Sequence, residues 1–377
     1  MSLSFTLASR NLFQDRLRLV ATLIGIVFSV VLVMIQLGLY VGFGRMVTTM
    51  IDHANADLWI VSKGAKSFED ISLLDTNIRD KVQAINGVSE VVPVVIGFSV
   101  WRLPKGGMTP VFVVGSDLKA GGLLPWHLVA GTVQALTTPG AVAIDRFYED
   151  RLGVDGLDST ADLRGQPVKV AAVTSGIRSF TTTPYIFCSI DRARSYIGLP
   201  ASKSSSFIVR LKSGADAEKV QSEIQAAASG VEVLTPSQFR ERSRSFWLFG
   251  TGAGAALFAG ALLGIIVGTV IVAQTLYSST KDHLYEFATL RAIGGSKGYI
   301  YKIIIYQALL NAAIGFGLAA LVAIAVVEFT AQSALPVVIT NGLVIGLLIL
   351  TIVMCVASAI IAIVRVVRID PVMVLAR

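Results

Sequence analysis

The sequence is short of charge. Asp, Glu, Lys and Arg make up 15% of its 377 residues against about 25% in a soluble domain, while 54% of residues are hydrophobic. The deficit is uneven. No charged residue occurs between Leu19 and Val41, between Phe246 and Ser279, between Ile303 and Val327, or between Phe329 and Val364. Each run is long enough to cross a hydrocarbon core of about 30 Å as a helix, which excludes an ordinary soluble enzyme. Cysteine is also scarce: Cys188 lies in a soluble stretch and Cys355 in an apolar run, so no disulfide framework is implied. Histidine is limited to His53, His127 and His283, too scattered for a metal site. Phosphate-binding G-x-x-x-x-G-K-[ST], H-E-x-x-H, G-x-S-x-G and C-x-x-C are all missing. No charge lies in the middle of a span, which leaves a proton relay or ion-coupled carrier without machinery.

What charge there is reports topology. The formal net charge is +7. Its excess lies in short flanking segments: Arg10, Arg16 and Arg18 before the first span, Lys281, Arg291, Lys297 and Lys302 between the second and third, and Arg365, Arg368 and Arg377 after the fourth. Short basic loops stay in the cytoplasm. The stretch between spans three and four has no Lys or Arg and falls outside, as does the large block between spans one and two. Basicity placed this way argues against a nucleic-acid partner. Arg240, Arg242 and Arg244 sit on the outer side just before span two and suggest contact with lipid headgroups. The first apolar run exceeds a signal-peptide h-region and lacks a small-x-small cleavage site, so it reads as a retained anchor.

The fold class that follows is an α-helical membrane protein with four transmembrane helices and an α+β domain inserted between helices 1 and 2. The segments read as a cytoplasmic tail at 1–18, helix 1 at 19–41, the outer domain at 42–245 and helix 2 with a stalk at 246–279. A cytoplasmic helix and loop follow at 280–302, then helix 3 at 303–328, an outer connector at 329–342, helix 4 at 343–364 and a cytoplasmic tail at 365–377. Span two is too long for the bilayer alone. Thr235 as N-cap, Pro236 in the first turn and Gln238 at the capping-box position predict a start upstream, and a single rod from Thr235 past Tyr277. The alternative is two helices broken around Gly250, Gly252 and Gly254. Gly260, Gly264 and Gly268 recur every four residues and predict a smooth strip for close helix pairing between two copies of the chain. Gly38 with Gly42 is a weaker strip.

In the cytoplasmic loop, Ser279 or Thr280 can cap a short helix that stops at Gly294 and Gly295. Asp282 suits its positive end and Arg291 its negative end. Leu284, Phe287, Leu290 and Ile293 form an apolar stripe beside His283 and Glu286, suited to a membrane surface or to a groove on a partner. In the outer block the run 57–62 reads as a strand, 76–84 as a helix and 89–96 as a strand. The order repeats at 206–211, 215–228 and 231–234 around an insert with strands near 111–114, 168–173 and 185–189. Asp145, Glu149 and Asp150 read as a solvated helix face, and Trp101 and Trp126 as core filling in preference to a binding surface.

The run Gly264 to Tyr277, the stretch Asp282 to Gly294, the tail Arg368 to Leu375 and the segment Ala56 to Ser62 together resemble the ABC transporter permease superfamily. That superfamily includes MacB-type macrolide exporters, LolC-type lipoprotein-release permeases and the FtsX-type cell-division permease. Residues 264–294 are most similar to its heterocyst-type, DevC-like branch. The resemblance implies a non-catalytic membrane subunit of the inner membrane with a periplasmic α+β domain. It implies that two permease copies pair and that each docks a separate ABC ATPase through a coupling helix at about Lys281 to Ile293. ATP and Mg would be bound by that ATPase, with no cofactor in this chain. The resemblance also implies mechanotransmission without a channel, export of a lipid-like or other amphiphilic cargo, and a periplasmic adaptor (membrane fusion) protein. The alternative is a signalling module like the cell-division permease, which activates a periplasmic enzyme and transports nothing.

Overall fold

The computed structural model describes residues 3–282, 289, 296–331 and 333–367. The chain forms two units: residues 1–42 with 254–377, and residues 43–253.

In the first unit, α1 (Leu3–Gln14) is followed by α2 (Arg16–Asp52), α8 (Ala253–Asp282), α9 (Lys297–Thr330) and α10 (Asn341–Val367). The last four carry segments long and apolar enough to span a membrane. Helices satisfy their own peptide groups, which a bilayer requires. Outward residues such as Ile24, Phe28, Leu262, Ile266 and Ile349 are exposed aliphatics and aromatics, suited to lipid. The N-terminal segment, expected as a tail, is a helix: α1 packs Ala8 against Ile303, and Phe5 meets Tyr306 edge to face at 6.0 Å.

Small residues let these helices approach. A Cβ on Gly268 would lie 2.1 Å from Ser29 Oγ and 2.9 Å from the Met354 sulfur. One on Gly260 would meet Gln36 at 2.6 Å. With α2 that close, the Ser29 hydroxyl donates to the Gly264 carbonyl at 2.7 Å, and Ser358 donates to Thr269 O at 3.0 Å. Hydrogen bonds between membrane helices contribute about 0.6 kcal/mol each on average. Gly38 and Gly42 receive the connector between α9 and α10: Val338 N–H donates to Gly38 O at 3.1 Å, and Pro336 O sits where a Gly42 side chain would be.

The second unit is built on one long strand. Strand β1 (Leu58–Ser62), α3 (Asn77–Gln83) and β3 (Val88–Arg102) form one strand-helix-strand arm; β11 (Ser206–Leu211), α6 (Ala217–Ala227) and β12 (Val231–Leu234) form the other. They pair antiparallel in the order β12-β1-β11-β3, which is the ferredoxin-like arrangement of two split βαβ arms. Ile78 and Val82 of α3 and Val220 and Ile224 of α6 cover one face. Helix α7 (Pro236–Ser245) reaches the other face, where Phe239 packs on Trp59 at 5.5 Å beside Met50 and Ile51 of α2.

The insert is a ring of strands. Its members are β4 (Met108–Ser116), β6 (Ala141–Asp145), β7 (Thr160–Leu163), β8 (Gln166–Thr174) and β9 (Tyr185–Ser189), with β5 (Leu128–Gly131) on the outer edge of β8. Pairing runs from β3 to β4, β9, β6, β8 and β7 and returns to β3 through Trp101 opposite Leu163. One cluster draws on all six of these strands, including Val95, Val113, Ile186, Ile144, Val170 and Leu163, and α5 (Ile190–Ile197) packs onto it through Ala193 and Tyr196. The pair β2 (Leu74–Asp75) and β10 (Lys203–Ser204) forms a small separate ladder, and α4 (Glu149–Leu152) is a single turn. The strand read at 89–96 thus extends to Arg102, because its second half belongs to the ring.

The proposed single rod is not formed. Thr235 caps α7 with Gln238 in a complete capping box, but α7 ends at Ser245. One wide π-helical turn follows at Phe246–Gly250, and α8 starts afresh at Ala253. Gly252 adopts φ +80°, a left-handed conformation that ends a helix.

Gly268→Val is expected to force α2 and α8 apart and destabilise the membrane unit by about 1–3 kcal/mol. Gly346, which faces open space, should accept alanine with no loss. Melting curves of the two variants in detergent check the contrast.

Candidate functional site

Two regions concentrate polar side chains at helix ends, one in each unit. In the membrane unit, the turn between α1 and α2 is fixed by Asp15. Its carboxylate accepts from Arg18 N–H at 3.1 Å, and its carbonyl accepts from Leu19 N–H at 3.0 Å. The Arg18 guanidinium then reaches Asp282 at 2.5 Å and Asp15 at 3.4 Å. Asp282 was expected to open a new helix capped by Ser279 or Thr280. Instead α8 continues through Asp282, and Thr280 Oγ1 donates to Leu276 O one turn back at 2.7 Å. Lys281 beside it is exposed. The other coupling-helix candidates, His283, Leu284, Glu286, Phe287, Leu290, Arg291, Ile293 and Gly294, lie outside the described residues.

Beneath the ion pair, Asn11, Thr22, Gln307 and Asn311 are buried around a cavity of about 20 Å³, together with Thr275 and Ser279. That is room for one water molecule. Asn311 Oδ1 has no hydrogen-bond partner there. Neither the cavity nor its buried amides was read from the sequence, because polar residues at the ends of apolar runs look like ordinary helix ends.

The glycine strip at Gly260, Gly264 and Gly268 is not open to a second copy. It is filled by Gln36, Leu32, Val33 and Ser29 of α2 in the same chain. Small residues do mark a close approach here, but the approach is intramolecular.

In the outer unit, the three arginines expected to meet lipid headgroups are placed differently. Arg240 pairs with Asp52 at 3.1 Å, and Arg242 pairs with Glu232 while also donating to Ala65 O at 3.4 Å. Arg244 lies alongside Gly44. Two of the three charges are therefore satisfied within the domain, tying α7 to the end of α2 and to β12. Aromatic contacts reinforce this: Phe180 meets Phe43 at 5.4 Å and Trp247 at 4.6 Å between ring centroids. Trp247 Nε1 donates to Glu69 at 3.2 Å. Burial pushes the Glu69 carboxyl up to about 7, against the opposing effect of hydrogen bonds from Trp247, Ser67 and Tyr185. Nothing local in the sequence singles out Glu69, since only the tertiary fold buries it.

The remaining candidates are structural. Trp101 is fully buried and donates to Leu152 O at 3.0 Å, and Trp126 is half-buried with its ring stacked on His53 at 4.0 Å. Asp145 departs from the expected solvated face: it is buried, caps the turn at Phe147 and accepts from Thr174 Oγ1 and Ile177 N–H at 2.9 and 2.8 Å. Glu149 and Asp150 lie apart from it on the single turn α4. Among the described residues no group of three His, Cys, Asp or Glu is placed to hold a metal ion.

Four membrane helices and an α+β domain between the first two define a membrane permease subunit with a large outer domain. Residues 19–227 match the MacB-like periplasmic core domain and residues 258–371 match the FtsX-like permease C-terminal domain. The first match spans more than half of the chain, and the protein belongs to the MacB-like periplasmic core domain family, within the MacB/FtsX group of ABC transporter permeases. Such permeases are generally non-catalytic, work with an ABC ATPase and often dimerise; this one is a multi-pass inner-membrane protein with a periplasmic domain. Similar solved structures include the periplasmic region of MacB from Actinobacillus actinomycetemcomitans, at 12% identity and TM-score 0.40 over 51% of this chain and 94% of that one. The extracellular domain of the noncanonic ABC-type transporter YknZ from Gram-positive bacteria is similar at 14% identity and TM-score 0.35, over 48% and 99%. No curated protein matches the chain.

Glu69 gives the outer domain a pH-dependent stability. Its carboxyl titrates near 7 when folded and near 4.5 when exposed, so the folded state holds more protons between those values. Its contribution is complete below pH 4.5 and lost as pH rises through 7, by up to about 3 kcal/mol. Melting temperatures between pH 5 and 8 should fall for the parent chain and show a flatter slope for Glu69→Gln.

Proposed function

We propose that this chain is the permease subunit of an exporter that converts ATP-driven motion of a separate ATPase into movement of its periplasmic domain. Coupling occurs at Lys281 to Ile293, with ATP and Mg held by the partner. The observation that supports this best is the character of the helix contacts: among the described residues α2, α8, α9 and α10 meet mainly through glycine, serine and apolar side chains, with the buried amides Gln307 and Asn311 gathered near the Arg18 end. Such packing leaves no continuous polar path among the described residues and suits a body that moves as a whole. The cargo on this reading is lipid-like or otherwise amphiphilic and is taken up outside the membrane core. A periplasmic adaptor completes the route, as in the heterocyst-type branch that residues 264–294 resemble. The second copy pairs through helix faces this chain leaves uncovered, since its glycine strip is filled by α2.

The test is affinity purification of the chain in mild detergent with mass spectrometry of what accompanies it. An ABC ATPase together with an adaptor is the expected result; a hydrolase or sensor kinase in place of the adaptor would move the reading to signalling, and absence of an ATPase would overturn it. In the reconstituted complex, Glu286→Arg and Phe287→Asp should each uncouple ATP hydrolysis from transport while the protein remains inserted. Coupled activity at the parent level in both would remove the coupling segment from the mechanism.

A further inference from the structure

The Arg18 to Asp282 contact lies where the proposed docking segment begins, and its surroundings give it a role that packing does not fill. About 11 residues back along α8, or about 16 Å, α2 and α8 already meet tightly, where a Cβ on Gly25 would lie 2.4 Å from Ile271, and they meet again at Gly268 and Ser29. Nearer Asp282 the two helices line open space. On one side lies the cavity beneath Asn11, Gln307 and Asn311. On the other an open groove of about 520 Å³ runs past Leu17, Ile271, Gln274 and Ser278. Between the two, the guanidinium of Arg18 bridges the helices at 2.5 Å, and among the described residues this ion pair alone joins two membrane helices. Asp15 fixes its base, accepting the Arg18 N–H and lying 3.4 Å from the guanidinium.

An ion pair this exposed adds little to stability. Its side chains are 25% and 57% exposed, so its consequence is positional. Helix α2 runs unbroken from Arg16 to Asp52. Asp282 lies about 16 Å beyond the contact of Gly25 with Ile271, so displacement at Asp282 reaches α2 through this pair before it reaches that contact.

We propose that Arg18 is the positioning residue that passes displacement of the ATPase-docking segment from the end of α8 to α2. The inference rests on the proposed function, because it needs an ATPase that moves that segment. It predicts that the sign of the charges matters and their stations do not. Arg18→Glu places a carboxylate against Asp15 and Asp282; Asp282→Arg places two guanidinium groups together; the double reversal restores an opposite pair between the helices and leaves the repulsion from Asp15, which is why recovery is expected to be partial.

The experiment uses the full chain with its ATPase in lipid nanodiscs and an environment-sensitive fluorophore on Arg45→Cys, an exposed position of α2. Cys188 and Cys355 are buried and leave the label selective. The ATP-dependent emission change is divided by the rate of ATP hydrolysis, and melting temperature is followed in parallel. Each single reversal should lower that ratio by roughly fivefold or more, and the double reversal should recover at least about half of it. Single reversals that keep the parent ratio, or a double reversal that recovers melting temperature without the ratio, would overturn the role of Arg18 and leave the exporter reading standing. A parent chain that binds no ATPase, or gives no ATP-dependent change, would overturn both.

Discussion

A bilayer offers no hydrogen-bond partner to a peptide group, and the membrane unit is shaped by that lack. The four spans are continuous helices, and among the described residues irregular backbone lies between them in sequence: the turn at Asp15, the break at Phe246 to Gly252, and the connector that folds onto Gly38 and Gly42. With no water to expel between them, the helices are held by shape. Glycine at 264 and 268 lets backbone meet side chain, and once that approach is made Ser29 finds a carbonyl on its neighbour. The polar residues follow the same rule at the cytoplasmic end, where Thr22, Gln307 and Asn311 cluster around a cavity and do not face lipid.

Much of this was legible in the sequence because the signals were local. Runs without charge marked the spans, and the strand-helix-strand arms at 57–96 and 206–234 were visible from alternation and turn residues. Thr235, Pro236 and Gln238 announced the start of α7 correctly, because a capping box involves only four adjacent residues. Its end was read only as the alternative, a break around Gly250, Gly252 and Gly254, and that alternative is the one formed. Nothing in Phe246 to Gly250 forbids an α-helix, and the break depends on Gly252 adopting a conformation that glycine permits but does not demand.

What the sequence hid was the assignment of partners. The glycine strip was recognised as a contact surface, but periodicity cannot tell a helix of the same chain from one of another. Arg240 and Arg242 looked like headgroup ligands because only the fold brings them to Asp52, far away in sequence, and to Glu232 on the preceding strand. Asp145 looked solvated beside Glu149 and Asp150 until strand β6 carried it under the loop at Ile177. The ring of strands was hidden for the same reason, since its closure relies on Trp101 meeting Leu163.

Strand β3 is shared property. Its first half is an edge of the ferredoxin-like sheet, and its second half closes the ring with β4 and β7. Two sheets strung in series on one fifteen-residue strand do not separate without breaking it. A load applied at either end of the strand is felt by both as tension along a single axis. The outer domain is therefore stiff in that direction.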